Sequence, residues 1–191
     1  MSVSSYQLTE EFITARVEHF KACLHDADPR SQYAEQVKTK FNLDMVEVVE
    51  LNQDEEAYPN QFLPSRDTIS GDFIEGTQFF IIDKPVVYDT IPYGGQRYRI
   101  VLKVGFIFDG ASIPPIVWSI AGSPFVNDGA GQYRLAAAIH DGLCDKHELR
   151  STIAHNVFSR ILELEGISRW QRFKMVSAVK MFGPTFTGRL Q

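Results

Sequence analysis

Tyr93-Gly94-Gly95-Gln96-Arg97-Tyr98-Arg99-Ile100-Val101-Leu102-Lys103-Val104-Gly105-Phe106-Ile107-Phe108 is the stretch on which the fold turns. Gly94 and Gly95 tolerate the positive φ that a tight hairpin demands, so this segment predicts a turn between two strands. Beyond it Tyr98, Ile100, Leu102 and Val104 alternate with Arg97, Arg99, Val101 and Lys103, the period-two pattern of a half-buried strand. Upstream, Phe79–Ile82 and Val86–Tyr88 are short apolar runs of strand type. Downstream the period changes. Tyr133–Cys144 reads as one helix. A second, capped by Ser151 and ended by Gly166, gathers Ile153, Ala154, Val157, Phe158, Ile161 and Leu162 on one face. A third starts at Ser168, turns Phe173, Val176 and Val179 inward with Trp170, and stops at Gly183-Pro184. Strands followed by helices predict an α+β fold, a small antiparallel sheet packed against about three C-terminal helices.

Toward the N-terminus, Leu8–Leu24 is an amphipathic helix with Phe12, Ile13, Val17, Phe20 and Leu24 close to one face. Asp28-Pro29 opens a second helix running to about Phe41, and Met45–Leu51 is strand-like. Asn52–Ser70 is rich in Pro, Asn, Asp and Glu and reads as a loop. The expected organisation is residues 1–60 as an N-terminal helical extension with a short strand, and 61–191 as the core domain.

Composition narrows the function classes. The 191 residues suffice for one buried core, and the 44% apolar and 23% charged fractions are those of a folded chain. A net charge of −5 without a basic stripe argues against nucleic acid as partner. Cys23 and Cys144 stand far apart, which fits a reducing compartment and argues against a cysteine-rich zinc site. Residues 1–11 do not form a secretory signal, and no apolar run has the roughly 18 residues of a membrane span.

Two constellations could carry chemistry. The first is Phe108-Asp109-Gly110-Ala111-Ser112-Ile113-Pro114-Pro115, where a strand end delivers a carboxylate, small residues and a hydroxyl before two prolines. Taken alone, it reads first as a turn whose side chains satisfy their own backbone. The second is Ala136-Ala137-Ala138-Ile139-His140-Asp141-Gly142. His140 falls in the apolar sector of its helix, Asp141 at that sector's edge. A buried imidazole needs a partner, and a carboxylate nearby would fix its tautomer and raise its basicity. A core histidine satisfied by a backbone carbonyl is the competing reading. His155 lies just outside the next helix's apolar stripe and reads as a boundary residue, with a metal ion shared with His140 as the alternative. Trp118 and Trp170 read as packing anchors. HExxH and GxSxG are absent from the sequence.

As a set, Gly105-Phe106-Ile107-Phe108-Asp109-Gly110-Ala111-Ser112-Ile113-Pro114, Trp118, Ala137-Ala138-Ile139-His140-Asp141 and Phe158 resemble a family of uncharacterised domains common in tailed bacteriophages and prophages. The resemblance spans about residues 73–183. It implies a viral or prophage origin and a place in the host cytoplasm or the virion, with phage tail or virion proteins, or a host protein, as partners.

A more distant resemblance suggests a reaction. The His140-Asp141 helix follows a loop containing Ala121-Gly122-Ser123-Pro124 and Asn127-Asp128-Gly129, and the pair looks like the phospholipase domain of parvovirus capsids and the secretory phospholipases. That resemblance implies His140 as the base that activates water, Asp141 as a calcium ligand, and the loop with Gly122 and Asn127 beside them; Gly110, Ser112 and His155 are expected to line the same site. Both families tend to carry an Asp on the following helix that orients the His. Here His155 takes that place, so either Asp109 supplies the orienting carboxylate or this chain has lost the chemistry, and Cys144 stands where a Tyr is common. Three functions therefore stay open: a calcium-type ester hydrolase, a non-catalytic tail, virion or assembly protein with a structural His–Asp motif, and an inhibitor of a host defence protein. The second predicts a buried His140–Asp109 pair, and either an exposed apolar patch or a segment such as Leu51–Ser70 that orders on a partner.

Overall fold

The computed structural model describes residues 3–25, 27–28, 31–52, 55, 69–109 and 133–190. Helix α1 (Val3–Leu24) and helix α2 (Gln32–Asn42) come first, and α2 is capped by the Ser31 hydroxyl, which accepts from the Ala34 N–H at 3.2 Å. Six strands follow: β1 (Val46–Leu51), β2 (Gly71–Phe73), β3 (Phe80–Ile82), β4 (Val86–Asp89), β5 (Arg97–Leu102) and β6 (Ile107–Phe108). Helices α3 (Arg134–Lys146), α4 (Ser151–Leu164) and α5 (Arg169–Phe182) complete the described chain.

The Gly-Gly hairpin forms as its chemistry predicts: Tyr93 and Gln96 bridge, with φ of 62° at Gly94 and 87° at Gly95. It joins β4 to β5, and β5 buries Tyr98, Ile100 and Leu102 while its alternate residues are half-buried. Strand β5 is the centre of an antiparallel sheet ordered β1-β5-β4, with Val46 and Val86 both opposite Leu102. A second antiparallel sheet is ordered β2-β3-β6. The expected antiparallel sheet is thus divided in two, and β5 reaches β6 through the turn Lys103–Phe106, where Gly105 has φ 89°.

Helix α3 is the centre of the molecule, buried at every position from Leu135 to Asp145. Its alanines and Gly142 allow this. A Cβ on Gly142 would lie 2.7 Å from Leu102 Cδ2, so the helix rests almost directly on the sheet. A second apolar cluster seats Phe20, Leu24 and Ala34 of the N-terminal helices against Ile74, Phe79, Ile81 and Ile107. Arg16 ties α1 down, its Nε donating to the Gly105 carbonyl at 2.6 Å and its Nη2 to that of Phe41 at 2.5 Å.

Two local expectations change. Ser151 is the first helical residue of α4 rather than its cap, a position taken by Arg150; Ser168 does cap α5, accepting from the Gln171 N–H at 3.3 Å. Trp170 and Phe173 do not point inward but are 65% and 64% exposed. The inner face of α5 is Met175, Ala178 and Val179, and because this helix carries apolar residues all round, its wheel alone did not identify the buried side. Among the described residues no helix is long and apolar enough to cross a membrane.

Candidate functional site

Successive residues of a helix are about 100° apart, whereas residues four apart share a face. In α3 this divides the chemistry between two faces. His140 and Cys144 look toward α4, and Asp141 and Asp145 look toward α2.

On the α2 side the side chains converge on Lys38. Its ammonium is wholly buried, 2.5 Å from Glu35 Oε1, 3.6 Å from Asp145 Oδ1 and 4.0 Å from Asp109 Oδ1. Burial by itself would lower the lysine's pKa, but Asp145, Asp141, Glu35 and Asp109 outweigh it and hold the group well above the usual lysine range. It is charged at any ordinary pH. The carboxylates have further partners. Thr39 Oγ1 donates to Asp145 Oδ1 at 2.8 Å, Asn42 Nδ2 to Asp145 Oδ2 at 2.7 Å, and Gln78 Nε2 to Asp109 Oδ2 at 3.1 Å. Asn42 also completes β6, accepting from the Ile107 N–H at 3.0 Å and donating to the Ile107 carbonyl at 2.6 Å. The cluster joins α2, α3 and the end of β6 through charge-assisted and amide hydrogen bonds.

On the α4 side, His140 Nε2 lies 3.1 Å from His155 Nδ1, and the two rings stack with centroids 5.3 Å apart. Phe158 packs against the His140 ring at 5.1 Å, and Cys144 Sγ approaches its nitrogens at 3.7 and 3.8 Å. Burial, the neighbouring His155 and then Lys38 push the His140 pKa down to about 3. His155 is lowered as well, by burial first and then by Lys180. At neutral pH the pair is therefore two neutral imidazoles, one donating and the other accepting.

His140 is fully buried, in line with its apolar sector. His155 corrects the boundary reading, being only 5% exposed and the direct partner of His140. The small residues of α3 bring α4 so near that a position just off the apolar stripe is still covered. Asp109 meets Lys38 and Gln78, while the imidazole of His140 meets His155. Gly110, Ser112, Gly122 and Asn127 lie outside the described residues, as does Trp118. Among the described residues, no group of three or more His, Cys, Asp or Glu side chains could hold a metal ion.

Lys38, Asn42, Thr39 and Asp145 were not singled out by the sequence reading. Two signals were present. Ala34, Lys38 and Asn42 repeat every four residues on one buried stripe of α2, and Asp145 follows Asp141 by one turn. A stripe that mixes alanine with lysine and asparagine fits a polar partner better than an apolar one.

A family model described as a protein of unknown function (DUF1353) matches residues 82–179, from the end of β3 into α5. The uncharacterized protein y4jT of Sinorhizobium fredii (strain NBRC 101917 / NGR234) is 37% identical over 86 residues, 45% of this chain and 24% of that protein. The uncharacterized protein y4iH of the same strain is 40% identical over 76 residues, 40% of this chain and 30% of that protein. The chain thus spans less than a third of the length of these curated relatives. No solved structure matches it.

Proposed function

The chain belongs to the DUF1353 family of proteins of unknown function, and from that premise we propose that it is a non-catalytic phage or prophage protein, a tail, virion or assembly component whose His140–Asp141 motif is structural. The observation that carries this reading is the position of Lys38. Its ammonium sits among Glu35, Asp109 and Asp145, so the fold itself supplies the cation for these carboxylates. The imidazole of His140 is likewise committed within the fold, fully buried against His155 and Phe158. A general base must reach the proton it takes. What supports the phage origin is the motif set around Asp109 and His140, which lies inside the matched family segment. The partner, a virion protein or a host protein, rests on that resemblance.

The deciding experiment is a thermal melt of the wild type and of Asp141→Asn in chelator, calcium and zinc, with an assay on phospholipid and simple esters. A ligand held only by the native state at about 100 times its Kd adds about 2.7 kcal/mol, a readable shift. The expected outcome is the same melting temperature in all three solutions and no ester turnover. A calcium-dependent rise that Asp141→Asn abolishes, with turnover lost in His140→Ala, would instead establish the calcium-type hydrolase.

A further inference from the structure

Helix α5 is apolar on two sides. Met175, Ala178 and Val179 face the core. On the opposite side Trp170, Phe173 and Met181 are 65%, 64% and 73% exposed. The Trp170 and Phe173 rings stack at 6.1 Å, and Lys174 Nζ lies 4.8 Å from the Trp170 ring centre. At 100° per residue the outward aromatic strip is bordered by Arg169 and Lys180 on one edge and Lys174 on the other. An apolar outer face edged by cations has the form of a docking surface.

Charge indicates what it docks against. Residues 166–191 hold five basic and no acidic side chains, which leaves fourteen basic against twenty-four acidic in residues 1–165, a net charge of −10. The complementary surface is on α1, where Glu10, Glu11 and Glu18 surround the small residues Thr14 and Ala15 along a shallow exposed groove. Large aromatic side chains on a basic helix and small side chains on an acidic one match in both shape and sign. The helices pack in the series α1–α2–α3–α4–α5, so the two faces belong to its two ends and can engage different neighbours.

We infer that this chain self-associates head to tail, the basic aromatic outer face of α5 in one copy docking on the acidic small-residue face of α1 in the next. Such a contact joins two different surfaces, and it closes into a ring or extends as a filament according to the rotation it imposes. It is independent of the role proposed for the buried cluster, and would stand if that cluster proved catalytic.

The test is sedimentation velocity on the full chain over about a hundredfold range of concentration, at low and high salt, because exposed charge pairs are screened within about 10 Å at 0.1 M salt. The wild type should sediment faster as concentration rises at low salt, and less so at high salt. Trp170→Glu with Phe173→Glu should hold it monomeric. So should Glu11→Lys with Glu18→Lys, and Lys174→Glu with Lys180→Glu. All six positions are outside the core, and unchanged thermal melts will verify that these variants fold. Mixing the Glu11→Lys/Glu18→Lys chain with the Lys174→Glu/Lys180→Glu chain should restore association. A wild type that stays monomeric, association indifferent to these substitutions, or a mixture that fails to assemble would each overturn the inference. Monomers that float with phosphatidylglycerol vesicles and lose this in Trp170→Glu would also overturn it, assigning the face to an anionic bilayer.

Discussion

His140 shows how one residue's environment sets a property of the whole protein. Its pKa is near 3 in the folded state and 6.5 as an ordinary histidine, so between those values the unfolded chain binds the extra proton. Stability linked to this group is therefore complete above pH 6.5 and is lost as pH falls toward 3, by about 1.4 kcal/mol for each unit at most. The expected result is a urea midpoint that drops measurably between pH 7 and pH 5 in the wild type. His140→Gln, which has no charge to gain, should show a shallower pH slope whatever its stability at pH 7. An equal slope in both would mean that His140 is not buried in the neutral form. The same burial separates this imidazole from an exposed general base.

At the scale of elements, α2 is held to α3 and β6 by a polar stripe beside its apolar packing on Ile107. The stripe Ala34–Lys38–Asn42 meets Asp145, Asp109 and the backbone of Ile107. Removing one partner of a buried ion pair leaves the other charge uncompensated and typically costs about 3–5 kcal/mol. Lys38→Met is expected to lose stability in that range by chemical denaturation. Glu35, whose side chain is 38% exposed, can recruit water in place of the ammonium, and Glu35→Gln should cost less than about 1 kcal/mol. Comparable losses in the two variants would show that the cluster is not held by its buried centre. The helices were legible because local periodicity and caps determine them, as Ser168 illustrates. Cap assignment failed at Ser151, whose N–H is instead used by the Phe186 carbonyl at 3.1 Å, a contact across the chain that no local pattern encodes.

On the scale of the molecule, the segment before residue 61 is interleaved with the rest. Strand β1 pairs with β5 along its length, and Phe20, Leu24 and Ala34 cover Ile74, Phe79, Ile81 and Ile107. A chain reduced to residues 61–191 would expose one edge of β5 and leave Asp109 and Asp145 without Lys38. It is expected to lack a cooperative thermal transition by circular dichroism, whereas a sharp transition near that of the full chain would establish residues 61–191 as an autonomous domain. The family match begins at residue 82 and so includes Asp109 and Asp145 but not Lys38, whose ammonium lies between them.

The sequence by itself determined the Gly94-Gly95 hairpin, the alternation of β5, the three C-terminal helices and the burial of His140. Each of these is set by turn chemistry or by a period within one element, and such signals survive without knowledge of neighbours. Only the tertiary structure decided the rest. A lysine on a helix reads as solvated because an isolated buried ammonium is so costly, and that judgement reverses only when carboxylates from α2, β6 and α3 meet around Lys38. His155 became the partner of His140 because small side chains on α3 let α4 approach. Which of the two apolar sides of α5 is covered was likewise settled by its packing against α4, since the helix's own pattern offered both.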